Sequence, residues 1–84
     1  LTEEEIVHRG RVASALLSNE ELLWFIDHYK SLVLESITQT KPDQAQERES
    51  LYYQHKALDD LLGIMQSYSD ASQAIEHRET KDTD

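Results

Sequence analysis

Residues 51–75 carry two series of side chains at alternating spacings of four and three. One series is Leu51, His55, Leu58, Leu62, Met65 and Ser69; the other is Ala57, Leu61, Ile64, Tyr68, Ala71 and Ile75. A mean spacing of 3.5 keeps each series on one face of an α-helix, and the two faces stand roughly 120° apart. A strand cannot produce this rhythm, because its side chains alternate with a period of two. One neighbouring helix covers only one such face, so the long helix has a second face to satisfy.

The single proline, Pro42, lies just ahead of this segment. Proline lacks an amide donor, is tolerated in the first helical turn, and turns the preceding residue away from helical angles. Thr40 or Lys41 is then the cap of a helix running from about 42 to 75. Upstream, one start signal occurs twice. In LTEEEIV, Thr2 and Glu5 form a capping box, and Leu1 and Ile6 form a hydrophobic staple. In LSNEELL the box is Ser18 and Glu21, and the staple is Leu17 and Leu22. These signals place helices at about 3–17 and 19–39. The scarcity of glycine, with Gly10 and Gly63 the only two, agrees with helices joined by short connections. The expected fold is all-α: an antiparallel helical hairpin of the second and third helices, hinged at Thr40–Lys41, with a short extra N-terminal helix, the whole oligomeric or partner-bound. Residues 1–75 form one helical domain. Residues 76–84, EHRETKDTD, lack apolar periodicity and read as a disordered acidic tail.

On the second helix, Leu22, Ile26, Tyr29, Val33 and Ile37 share the face expected to meet the third helix. Phe25 and Leu32 widen it on one side, and Leu23 and Leu34 on the other. The first helix offers Ile6, Ala13, Leu16 and Leu17, with Gly10 on the same face, which is a small contribution. Gly63 inside the third helix costs about 1 kcal/mol relative to Ala and points to close packing or a slight bend. The second series on the third helix needs the first helix, another copy of the chain, or a different protein. Read as an assembly surface, it comprises Ala57, Leu61, Ile64, Tyr68, Ala71 and Ile75, joined by Trp24 and Tyr53 as exposed aromatic anchors. Trp24 falls opposite the main face of its helix; the plainer reading packs it under the first helix.

Size and charge narrow the function classes. A chain of 84 residues buries only about 60–65% of its unfolded surface, so its stability is marginal or shared with a partner. Eight Lys and Arg stand against 17 Asp and Glu, a net charge of −9 that disfavours direct binding to nucleic acid or to an anionic membrane. Cysteine is absent, so there is no disulfide framework and no thiolate metal site, which suits a reducing compartment. No apolar run approaches the roughly 18 residues of a membrane span. Residue 1 is Leu rather than Met, which leaves room for a short piece ahead of it.

Catalytic chemistry finds no constellation. His8, His28, His55 and His77 are scattered, and only His55 has a carboxylate, Asp59, at helical spacing; two ligands do not make a zinc site. Asp59 and Asp60 point about 100° apart, unlike a paired general acid and base. No serine sits in a nucleophile elbow, and no glycine-rich phosphate loop exists. The expectation is a non-enzymatic protein without catalytic residues, cofactor, metal or small-molecule ligand. One alternative is an acidic inhibitor that mimics nucleic acid on a host nucleic-acid-binding protein.

The segment from RGRVASALLSNEEL through the TKPD turn to RESLYYQHKALDDLLGIMQ, residues 9–66 and so 58 of the 84, resembles small helical-hairpin proteins encoded in the structural gene clusters of tailed bacteriophages. The resemblance implies a virion or assembly protein acting by protein contact at the capsid, portal or scaffold. Its partner would be a phage structural protein or itself, and its place the virion or the host cytoplasm. The resemblance assigns no individual functional residue, and residues 67–84 fall outside it.

Overall fold

The computed structural model describes residues 1–82 as three helices, α1 (Glu3–Leu17), α2 (Glu20–Thr38) and α3 (Ala45–Asp82). The fold is all-helical, with the long α3 packed against the two shorter helices. The second and third helices form the antiparallel hairpin. The first continues along the remainder of α3 rather than folding beside α2, with which it makes little contact. The result is a rod 63 Å long and 16 Å thin. Its radius of gyration, 18.0 Å, far exceeds the roughly 12 Å of a compact domain of this length.

The first four-three series faces the shorter helices. Leu51, His55, Leu58, Leu62 and Met65 are half-buried there, Ser69 is buried, and Ser72 and Glu76 extend the rhythm. Opposite lie Ile6, Gly10, Ala13 and Leu17 of α1, and Ile26, Lys30, Val33 and Ile37 of α2. Lys30, rather than Tyr29, occupies the seam. Its aliphatic stem is covered while its ammonium group reaches Asp59. Tyr29 lies beside the seam, 47% exposed.

The interruption between α1 and α2 has a geometric reason. Continuing the rhythm beyond Leu17 would bring Trp24 and Asp27 to the seam, whereas Ile26 and Lys30 occupy it, one residue out of step. A residue is worth about 100° of rotation, so an unbroken helix would turn its stripe off α3. Two residues reset it. The Ser18 hydroxyl donates to the Ser14 carbonyl at 2.9 Å and ends α1. Asn19, with extended backbone, accepts from the Leu22 amide at 3.0 Å and starts α2. The cap is therefore Asn19, not Ser18 as the capping-box pattern suggested. Thr2 caps α1 as expected, accepting from the Glu5 amide at 3.2 Å.

The connection to α3 also differs in detail. The Gln44 amide donates to the Lys41 carbonyl at 2.9 Å, a turn in which Pro42 takes the second position, so α3 begins at Ala45 rather than Pro42. Arg48 holds this turn from within α3, donating to the Lys41 carbonyl at 2.6 Å, the Thr40 hydroxyl at 3.1 Å and the Pro42 carbonyl at 3.3 Å.

At its far end α3 continues as helix through Asp82, well beyond Ile75. Pairing with α1 accompanies this extension: Arg11 meets Glu76 at 2.8 Å, and Arg78 meets Glu3 at 2.6 Å. The predicted disordered tail is helical over 76–82, and residues 83 and 84 lie outside the described residues.

The close packing suggested at Gly63 falls instead at Gly10. Gly63 has open space around it. At Gly10, by contrast, a Cβ would overlap Ser72 and the Tyr68 carbonyl oxygen. α1 and α3 thus approach closely over Gly10, Ala13, Ser14, Ser69 and Ser72. The buried hydroxyls are satisfied: Ser14 and Ser69 share a hydrogen bond, and Ser72 donates to the Ser69 carbonyl at 2.8 Å. Gly63→Ala should raise stability by about 0.5–1 kcal/mol through helix propensity alone. Gly10→Ala should lower it by about 1–3 kcal/mol, as overpacking does. Urea melts at equal protein concentration check this, and midpoints moving in the same direction would refute the close approach.

Candidate protein-interaction face

The two flat sides of the hairpin differ in chemistry, and register explains how. Each seam residue has a chain neighbour on either flank, and antiparallel helices that face each other bring their preceding neighbours to one side and their following neighbours to the other. The contact of Tyr29 with Gln54, at 3.4 Å, joins two residues that each precede a seam position. On that side α1 presents Val12 and Leu16, α2 presents Phe25, Tyr29 and Leu32, and α3 presents Ala57, Leu61, Ile64 and Tyr68. All except Tyr68 are exposed, Phe25 to 64% and Ile64 to 58%.

Two shallow hollows indent this side. One lies between α1 and α3, lined by Val12, Leu16, Ile64, Met65 and Tyr68 with Arg9 at its rim. The other lies between α2 and α3, lined by Phe25, Tyr29, Leu32 and Leu58 beside His28. No carboxylate lines either hollow.

The opposite side is polar. Arg11 pairs there with Glu76, Lys30 with Asp59, and Gln66 with Asp70 at 2.9 Å. Asp59 is the most connected of these groups, since His55 Nδ1 also lies 3.5 Å from its other oxygen. The Lys30 hydrogen bond holds the Asp59 carboxyl below the ordinary carboxylate range, against the opposing effect of desolvation. Lys56, hydrogen-bonded to Asp60 at 3.1 Å, is raised by that partner. Among the described residues no three His, Asp or Glu side chains converge on one point.

The residues singled out from sequence fall into three places. Ala57, Leu61 and Ile64 are exposed on the apolar side. Tyr68, Ala71 and Ile75 continue the same stripe but are half-buried, with Tyr68 and Ala71 lying beside Ile6 of α1. α1 therefore covers the C-terminal half of the second series and leaves the N-terminal half open. Trp24 and Tyr53 belong elsewhere. Trp24 is 56% exposed on the outer surface of α2, stacked on His28 at 4.9 Å and meeting Phe25 edge-on at 5.0 Å, rather than lying under α1. Tyr53 is exposed and packs against Tyr52 edge-on at 5.6 Å. Sequence reasoning missed Val12, Leu16, Phe25, Tyr29 and Leu32 as members of the exposed face, because it assigned Leu16 and Tyr29 to seams and Phe25 and Leu32 to the flank of one. Counting which residues precede seam positions on both strands of the hairpin would have found them.

Comparison with protein-family models, curated proteins and solved structures finds no match. What defines this chain is its own geometry: a helical hairpin with one apolar side and one ion-paired side.

The Asp59 cluster has a pH signature. A carboxyl whose folded pKa lies below its unfolded value of about 3.9 adds stability that is complete above that pH and is lost as pH falls through the folded value. Carboxyl-resolved NMR titration should find Asp59 depressed in the parent and returned toward the ordinary value in Lys30→Met. An unchanged Asp59 in that variant would rule out Lys30 as the cause.

Proposed function

We propose that this chain is a non-enzymatic protein-interaction component of a bacteriophage particle or of its assembly, acting in the virion or in the host cytoplasm during assembly. The observation that carries the interaction reading is the apolar middle of one side of the hairpin, whose two hollows hold no carboxylate, in a chain of net charge −9. With 17 acidic residues in 84, a stripe from Gln54 to Tyr68 that presents only Gln, Ala, Leu, Ile and Tyr is kept clear of charge. Large exposed apolar patches on small proteins mark contact surfaces. The phage context rests on the resemblance of the ALLSNEEL, TKPD and RESLYYQHKALDDLL segments to hairpin proteins of phage structural gene clusters.

The nucleic-acid mimic is less well supported. Glu3, Asp59, Asp60 and Glu76 are already engaged by Arg78, Lys30, Lys56 and Arg11, so four of the 17 carboxylates face cations of the chain itself rather than a partner.

Mass spectrometry of purified particles and assembly intermediates, alongside the infected-cell lysate, tests this reading. The protein should be enriched in particles or intermediates, and confinement to the free lysate fraction would overturn the structural role. The captured complex should survive a rise from about 0.1 to 1 M salt, over which the Debye length contracts from about 10 to 3 Å. Steep salt-induced dissociation would favour the mimic instead.

A further inference from the structure

We infer that the apolar side of the hairpin is occupied by a second copy of this chain, the two hairpins closing face to face into a four-helix bundle about a two-fold axis. This rests on the interaction reading above and names its partner.

Four observations converge on a second copy. The isolated chain is under-buried: among the described residues only Ala13 and Val33 are buried hydrophobic residues, and the accessible surface is 6514 Å². A compact monomer of this mass exposes roughly 5,100 Å², an excess of about 1,400 Å². Standard interfaces bury about 800 Å² per partner, so the excess suffices for one.

The exposed stripe also has the rhythm of a helix-packing seam. Ala57, Leu61, Ile64 and Tyr68 are spaced four, three and four, and Phe25, Tyr29 and Leu32 four and three. Such a stripe is filled by helices running alongside it at a shallow angle, as in a four-helix bundle. A hairpin of the same two-rod width and length provides those helices.

The patch is centred where self-pairing requires it. It spans the α3 levels from Gln54 to Tyr68, roughly 20 Å, centred on Leu61, less than one helical turn from the middle of α3. The middle of α3 itself falls between Gly63 and Ile64. A two-fold axis crossing the helices near that level lays the patch on its own copy with the two rods overlapped over nearly their whole length, the isologous arrangement of most homodimers.

Charge agrees with this arrangement. Face-to-face closure removes no carboxylate of either hollow from water, and leaves the ion pairs of Lys30 with Asp59 and Arg11 with Glu76 on the outer surfaces.

The test is the mass of the full chain in solution, by light scattering and sedimentation across the micromolar range. The parent should have twice the 9.7 kDa of one chain. Ile64→Asp and Phe25→Asp should each weaken association roughly 30-fold or more, as loss of a hot-spot side chain does, and retain their helical circular dichroism at the same concentration. Trp24→Asp, on the outer surface, should leave the mass unchanged. Because the chain has no cysteine, a single one at Leu61 or Ile64 should join two copies under mild oxidation, whereas one at Asp70 should not. This second measurement stands even where an aspartate variant unfolds. A parent that stays monomeric at high micromolar concentration overturns the second copy and leaves a foreign partner for the same face. A mass above two chains, or a dimer broken by Trp24→Asp and not by Ile64→Asp, overturns the arrangement proposed. Absence from particles and assembly intermediates would instead defeat the phage reading while leaving this dimer standing.

Discussion

The fold depends on one stripe. From Gln44 to Glu76 the seam of α3 keeps its four-three alternation without a fault, and everything else in the chain is arranged to cover it. A stripe that straight demands a rod as long as itself on the other side. The first 38 residues supply it in two pieces, because their own apolar pattern slips by one residue between Leu17 and Ile26. Ser18 and Asn19 are thus a phase correction. They cost little, since the Ser18 hydroxyl and the Asn19 side chain satisfy polar groups at the broken ends.

The two halves of the seam hold together by different means. Against α2, α3 places Leu51, Leu58 and Leu62 around Ile26, Val33 and Ile37, so apolar area is the main attraction. Against α1 the partners are Gly10, Ala13, Ser14, Ser69 and Ser72, which have little area to bury but let the helices approach closely. Dispersion between close backbones and hydrogen bonds among serines do there what leucines do at the other end. Neither half encloses a large side chain completely. A hairpin one layer thick has no interior in which to do so, and this is why so much apolar surface remains at its sides.

Much of this could be read directly from residue spacing. The seam series beginning at Leu51 and the break at Pro42 are local patterns, and both describe the hairpin. The errors share one cause, which is that contacts outside a helix's own apolar period decided the outcome. Whether Ser18 or Asn19 caps α2 depended on the turn needed to keep both helices on α3. The helix start moved from Pro42 to Ala45 because the Lys41–Gln44 turn is gripped by Arg48. Residues 76–82 have no apolar rhythm of their own, and their helix lies against α1, some 65 to 75 positions away in sequence. The exposed apolar face was half-legible. Ala57, Leu61 and Ile64 stood out as a second series, but Val12, Leu16 and Phe25 join them only once the register of both rods is known.

The contrast between the two halves of the seam sets an order of opening. α2 and the first half of α3 are joined by a short turn and rest on leucines, so they close locally and hold. α1 must be brought back across a long loop, Ser14 to Ser69 being 55 residues apart, to make its close contact, whereas α2 and α3 meet across a short turn. An opening that pivots at Ser18 and Asn19 breaks the α1 contacts alone, since α2 and the first half of α3 are joined by their own turn. Such an opening strips Tyr68, Ala71 and Ile75 of their cover, and for its lifetime the second stripe of α3 is exposed from end to end.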